Sequence, residues 1–252
     1  VSSPQKKVVF CIPTISRPYQ QTLEALRDSA PLVMDAGWDE SVVCEIGCPY
    51  ISAARATLLH KALRAEADVV VFIDHDVSWE PPALLKLLQT EGDVVAGTYR
   101  FKKDEEEYMG ALVVHEDGRP VVRESDGAIA ALAVPAGFLK VTRDAVCLFM
   151  DKFPHLKYGD GAIDLFNHGA HNGQWWGEDY AFCRNWTEVC GRQLWIVPDL
   201  NITHHNFYIN PKTGEKFERA YPGNFHQYML RRPGGSLGPS IEESKPCQAI
   251  LT

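Results

Sequence analysis

The chain has no uninterrupted apolar stretch of about 18 residues, so no membrane-spanning helix is expected. Its first residues, Val1 to Lys7, lack the apolar core of a secretory leader, and a cytoplasmic location is expected. Paired CxxC spacing is also missing. The seven cysteines are Cys11, Cys44, Cys48, Cys147, Cys183, Cys190 and Cys247, which argues against a thiolate zinc site and for a reducing compartment. Cys11, Cys44 and Cys147 stand in apolar segments and are expected as buried free thiols. Positive charge is scarce: 25 Lys and Arg face 33 Asp and Glu, a net charge of −8. That disfavours broad binding to a polyanion but leaves room for a local basic patch. No internal repeat or dividing linker is evident.

The 252 residues present suffice for one large domain with a sizeable core. A single catalytic domain is expected over residues 1–209, with a C-terminal extension, packed on it or partly flexible, over 210–252. Apolar β-branched runs predict strands at Lys7–Ile12, Ser41–Ile46, Asp68–Ile73, Asp93–Ala96 and Leu194–Val197. Helices are expected after Arg17-Pro18, over Ile51–Ala65, after Pro81-Pro82 and over Glu178–Cys190, the last ended by Gly191. The alternation predicts an α/β fold with a mostly parallel central sheet flanked by helices. Short strands are expected between Gly110 and Val141. From Lys152 to Trp176 no periodicity is visible, and a functional loop or lid is expected over Gly159–Gly173.

Three motifs carry chemistry. Asp74-His75-Asp76 closes the apolar run at 69–73, and hard oxygens at the carboxyl end of a strand suit Mg²⁺ or Mn²⁺ bound with a phosphate. A bare Asp-x-Asp is more often a solvated turn; the preceding strand and the later motifs shift that balance. Trp175-Trp176-Gly177-Glu178-Asp179 sets two rings beside two carboxylates at a helix start, where the dipole favours negative charge. Thr203-His204-His205 offers a further imidazole to a metal.

Together with Ile12-Pro13-Thr14, Arg17, Ile51-Ser52-Ala53-Ala54-Arg55, Ala136-Gly137-Phe138-Leu139, Gly177-Glu178-Asp179-Tyr180-Ala181-Phe182-Cys183-Arg184 and the His after Pro198-Asp199-Leu200, these motifs resemble GT-A-fold glycosyltransferases. The likeness is to family-2-type enzymes and to small glycosyltransferase-like proteins of bacteria and their phages. It covers Val8 to His205 and implies the GT-A type of fold, and for a phage-encoded chain, action in the host cytoplasm. It further implies transfer of a sugar from a nucleotide-diphosphate donor to an acceptor hydroxyl, with Mn²⁺ or Mg²⁺ and a leaning toward inversion. The resemblance makes Asp76 and His204 metal ligands, with Asp74 beside the ion. Pro13, Thr14, Arg17 and Arg55 would line the donor site, Asp179 would be the general base, Glu178 would bind acceptor hydroxyls, and Trp175 and Trp176 would stack on sugar. His204 rather than His205 has the family-like spacing from Pro198.

Two other classes fit part of this set. A metal-dependent hydrolase could use Asp74, Asp76, His204 and His205 to activate water, but would leave the Trp-Trp-Gly-Glu-Asp segment idle. A noncatalytic nucleotide-sugar-binding module could occupy the same scaffold. The acceptor is a glycan, a lipid-linked saccharide or a modified DNA base; for DNA the candidate cations are Arg100, Lys102, Lys103, Arg231 and Arg232.

Overall fold

The computed structural model describes residues 5–231. Arg232, Cys247 and the remainder of the C-terminal extension lie outside the described residues. In chain order the elements are β1 (Lys6–Thr14), α1 (Gln20–Asp35), β2 (Trp38–Ile46), α2 (Ile51–Arg64), β3 (Val69–Ile73), β4 (Val77–Trp79), α3 (Pro81–Gln89), β5 (Val94–Gly97), β6 (Ala111–Leu112), β7 (Ile129–Ala133) and β8 (Phe138–Thr142). There follow α4 (Arg143–Lys152), β9 (Lys157–Tyr158), β10 (Ala162–Ile163), β11 (Gly169–His171), β12 (Gln174–Trp176), α5 (Glu178–Arg184), β13 (Leu194–Val197), β14 (Asn201–Ile209), β15 (Lys216–Asn224) and α6 (Phe225–Arg231).

Eight strands form the central sheet in the order β2-β1-β3-β8-β5-β13-β7-β6. Six of them run in one direction; only β7 and β8 are reversed, and each contributes two antiparallel pairings. The sheet is therefore mostly parallel in direction although its pairings are mixed. Alternate side chains of each strand supply opposite faces. Val8, Phe10, Ile12, Val69, Val71 and Ile73 pack against α1 and α3. Val9, Cys11, Val70, Phe72, Leu139 and Val141 pack against α2, α4 and α5. This makes a three-layer α/β/α arrangement in which β3, fully buried on both faces, is the hub.

A second sheet, β15-β14-β4, stands beside the first. The turn Asp74-His75-Asp76 joins the two, leaving β3 in the large sheet and entering β4 in the small one. Register then matters: β14 pairs antiparallel with β4 so that His204 lies opposite Val77, and the His205 amide donates to the Asp76 carbonyl at 2.8 Å. The boundary expected at residues 209/210 falls inside the β14–β15 hairpin, and Phe225 and Tyr228 of α6 are buried in the main core.

Several local expectations need correction. The stretch from Lys152 to Trp176 is not irregular throughout: it holds two short hairpins, β9–β10 and β11–β12. The helix starting at Glu178 is α-helical only to Arg184 and widens to a π-type turn over Asn185–Val189. The helix α4 was not foreseen; Thr142 caps it, accepting from the Ala145 amide at 3.2 Å. It also explains why Cys147 is exposed rather than buried. The inward face of α4 consists of Ala145, Val146 and Phe149, and Cys147 points away from it. Cys11 is buried as expected and Cys44 is half-buried.

Candidate functional site

The site begins where β3 ends. The Asp74 amide donates to the Gly137 carbonyl at 2.9 Å. One Asp74 oxygen accepts from Arg55 Nη2 at 2.9 Å and the other from the Tyr99 hydroxyl at 3.0 Å. Arg55, on α2 and only 2% exposed, also donates through Nη1 to Glu178 Oε1 at 2.7 Å, and its guanidinium lies 5.2 Å from the Phe166 ring centre. Burial disfavours the Arg55 charge, but Asp74, Glu178 and Asp179 more than offset this and raise its value. A planar fork with several donors suits this bridging role, which a lysine could not fill in the same way. Both Asp74 oxygens are thus engaged, which ties the turn to α2 and, through Arg55 and Glu178, to α5.

Gly137 permits this packing. A Cβ there would stand 2.0 Å from the Tyr99 hydroxyl and 2.3 Å from Asp74 Oδ2. Gly137→Ala is expected to displace the Asp74 carboxylate and to destabilise the fold by about 1–3 kcal/mol, the usual cost of overpacking. A denaturant midpoint equal to that of the wild type would refute this.

Two residues on, Asp76 is 7% exposed. Burial alone would push its pKa up, but contacts with His204 and Lys102 prevail and hold it well below the usual carboxylate range. His204 Nε2 lies 3.6 Å from Asp76 Oδ1, and the Lys102 ammonium pairs with Asp76 Oδ2. His204 Nδ1 is 2.9 Å from the Arg100 carbonyl, which can only accept, so Nδ1 carries the proton and Nε2 is the nitrogen left for a cation. Strand alternation sends the neighbouring His205 to the other face. There its Nε2 meets Ser78 Oγ and its Nδ1 meets Glu218 Oε1, each at 2.7 Å. His75 also turns away, its ring set edge-on to Tyr19 at 5.4 Å.

Asp76 and His204 could supply two ligands to a divalent ion, whose other ligands would have to come from elsewhere, as Mg²⁺ commonly takes them from bound phosphates. Among the described residues no three His, Cys, Asp or Glu side chains converge as an all-protein cage.

The third part is the start of α5. Asp179 is partly buried, and its Oδ1 accepts from the Tyr180 amide at 2.8 Å. Its carboxyl is pushed up to about 6, first by burial, then by the negative charge of Glu178, with Asp74 adding and Arg55 opposing. The helix start was expected to favour the charged form; desolvation and like charge outweigh it here. The β11–β12 hairpin leads into this helix through Asn172-Gly173, with φ of 50° and 79°, as a type I′ turn requires. Trp175 is 72% exposed at its end. Trp176 is half-buried, with the Arg184 guanidinium 5.0 Å from its ring, whereas Trp175, tilted against the His168 ring at 5.9 Å, is the more open of the two.

At the same sheet edge β1 ends in Pro13 and Thr14, both buried, and Arg17 follows in the open. Thr14 Oγ1 is buried without a hydrogen-bond partner among the described residues. Among the described residues, four of the candidate cations for DNA are already committed. Arg100 donates to carbonyls of Pro222, Lys103 and Asp104, Lys102 pairs with Asp76, Lys103 with Glu107, and Arg231 with Glu106. Tyr99, Phe166 and the pairing of Lys102 with Asp76 were missed from sequence, because no local pattern signals contacts between residues 25 or more positions apart.

No helix among the described residues is long and apolar enough to cross a membrane. No family model matches the chain, and no curated protein matches it. Among solved structures it is similar to a crystal structure of GalNAc-T7 with UDP, GalNAc and Mn²⁺, at 11% identity and a TM-score of 0.47. The match covers 81% of this chain and 44% of that one, less than half the other chain's length.

Proposed function

We propose that the chain is a nucleotide-sugar-dependent glycosyltransferase of the GT-A type, moving a sugar to an acceptor hydroxyl. The observation that carries this reading is Asp179: a partly buried carboxyl with a value near 6, at the start of the helix that follows the exposed Trp175, and coupled through Glu178 and Arg55 to the Asp74 turn. Such a carboxylate is charged at neutral pH and basic enough to take a proton from an attacking hydroxyl. Glu178, oriented by Arg55, accepts a hydrogen bond from a second acceptor hydroxyl. Trp175 offers an apolar face to the acceptor ring. Thr14 and Pro13 border the donor at the end of β1, and Arg17 approaches its phosphates. A divalent ion held by Asp76 and His204 would neutralise charge on the departing diphosphate. A base acting on the acceptor, with no nucleophile from the chain, corresponds to inversion. A saccharide acceptor is favoured over modified DNA, since Arg100, Lys102, Lys103 and Arg231 are held by carbonyls or acids of the chain.

The hydrolase reading needs Asp74 and His205 at the ion as well. Asp74 is held by Arg55 and Tyr99, and His205 faces Ser78 and Glu218.

A thermal-shift series with nucleoside diphosphates and nucleotide sugars, with and without Mn²⁺, tests the donor half. A preferred nucleotide at about 100 times its Kd should stabilise the fold by about 2.7 kcal/mol in Mn²⁺, and Asp76→Asn should remove that gain. Failure of every nucleotide to raise Tm, or an equal gain in the variant, would refute the site.

A further inference from the structure

One loop touches both halves of the Asp76–His204 pair. The Arg100 carbonyl receives the His204 Nδ1 proton, and two residues later Lys102 places its ammonium on Asp76 Oδ2. The rest of the loop is tied down. The Phe101 amide donates to the Glu107 carbonyl at 3.0 Å, and the Met109 amide to the Tyr99 carbonyl at 3.1 Å. Lys103 pairs with Glu107, and Glu106 is held by Arg231 of α6 at 2.8 Å. Lys102 is the member with freedom to move: its side chain is 26% exposed, and a four-carbon stem allows its charge to swing without moving the backbone.

The Asp76 carboxylate is buried and reached from one side by His204, so a divalent ion bound there would meet the ammonium at close range. Two positive charges a few ångströms apart in a partly buried setting repel strongly. The ammonium must leave Asp76, and the nearest new anion would be the diphosphate that arrives with the ion. On the reading of Asp76 and His204 as the donor site, we propose that Lys102 is an exchangeable counter-ion, covering Asp76 until a divalent cation binds and then turning to the diphosphate of the donor.

This assigns opposite signs to two measurements on one variant. Lys102→Met keeps the apolar stem and removes the charge. Binding of Mn²⁺ alone, followed by the electron paramagnetic resonance of the free ion, should tighten by about tenfold once the competing charge is gone. Binding of UDP in saturating Mn²⁺, measured by calorimetry, should weaken by about tenfold, because a charge-assisted contact to phosphate is lost. Lys102→Arg should restore the nucleotide affinity. Mn²⁺ affinity unchanged or lowered in Lys102→Met, or UDP affinity unchanged, would overturn the exchange. His204→Ala separates this from the underlying reading. If that variant binds Mn²⁺ as well as the wild type, the donor site itself is wrong and the exchange falls with it. If it loses Mn²⁺ while Lys102→Met behaves like the wild type, the site stands and only the exchange is refuted.

Discussion

Asp179→Asn is expected to abolish transfer while making the protein harder to unfold. Removing a general base typically costs roughly 100- to 10,000-fold in rate. Donor binding should be unchanged, since Asp179 lies with Glu178 at the start of α5 and not on the Asp76–His204 pair. The stability gain comes from the same feature that makes the residue useful. Its carboxyl is raised from 3.8 to about 6, so the folded state resists its ionisation. That corresponds to roughly 3 kcal/mol at neutral pH, and solvent around the partly open group reduces it to about 1–2 kcal/mol. A neutral amide of equal size escapes this cost, and Tm should rise by roughly 2–4 °C per kcal/mol in a chain of this length.

The sign with pH is fixed. Because the folded value lies above the unfolded one, the wild type loses stability as pH climbs from 3.8 through 6. The advantage of the variant is therefore full above about 6 and absent below about 4. Wild-type transfer should fall tenfold per pH unit below about 6, where the base becomes protonated. A variant that loses stability at pH 7, or retains wild-type turnover, would remove Asp179 from the role of base.

Arg55→Met should be the most damaging single change to the fold. Arg55 is buried and holds Asp74 at 2.9 Å and Glu178 at 2.7 Å. Without it two carboxylates face one another near Asp179 with no compensating charge, and breaking a buried ion pair this way costs about 3–5 kcal/mol. Arg55 also holds the Asp179 value down, so its loss pushes that carboxyl further up. The deficit of the variant should consequently grow as pH rises above about 6 and shrink in acid. Arg55→Lys keeps the charge but cannot fork to both partners, and should fall between the two. Urea denaturation at pH 5 and pH 8 gives the comparison. A deficit under about 1 kcal/mol at both pH values, the worth of an exposed pair, would show that the bridge is solvated and carries little.

Some of this is legible along the chain. The run at 69–73 reads as a strand because β-branched residues continue without a polar break until Asp74, and Leu194–Val197 is found at the expected bounds. The helix from Ile51 follows from its spacing of small and apolar residues. The β14–β15 hairpin did not show itself, because β15 contains Pro222 and Gly223. Those residues mark loops in most settings and are tolerated here because β15 is the edge of its sheet. The β11–β12 hairpin carried a readable Asn172-Gly173 signal, hidden by the short length of its strands.

Local order along the chain was enough to set carboxylates at strand and helix ends, since that depends on apolar runs and on the residues that stop them. It could not say that Asp74 would be tied to Arg55 and Tyr99 and Asp76 to Lys102, nor that Asp179 would stay charged only with difficulty. Those outcomes turn on a guanidinium 19 residues from one partner and 123 from the other, and on the depth at which three acids come to rest. Electrostatic interaction depends on distance and surrounding dielectric, and both exist only once the layers have packed.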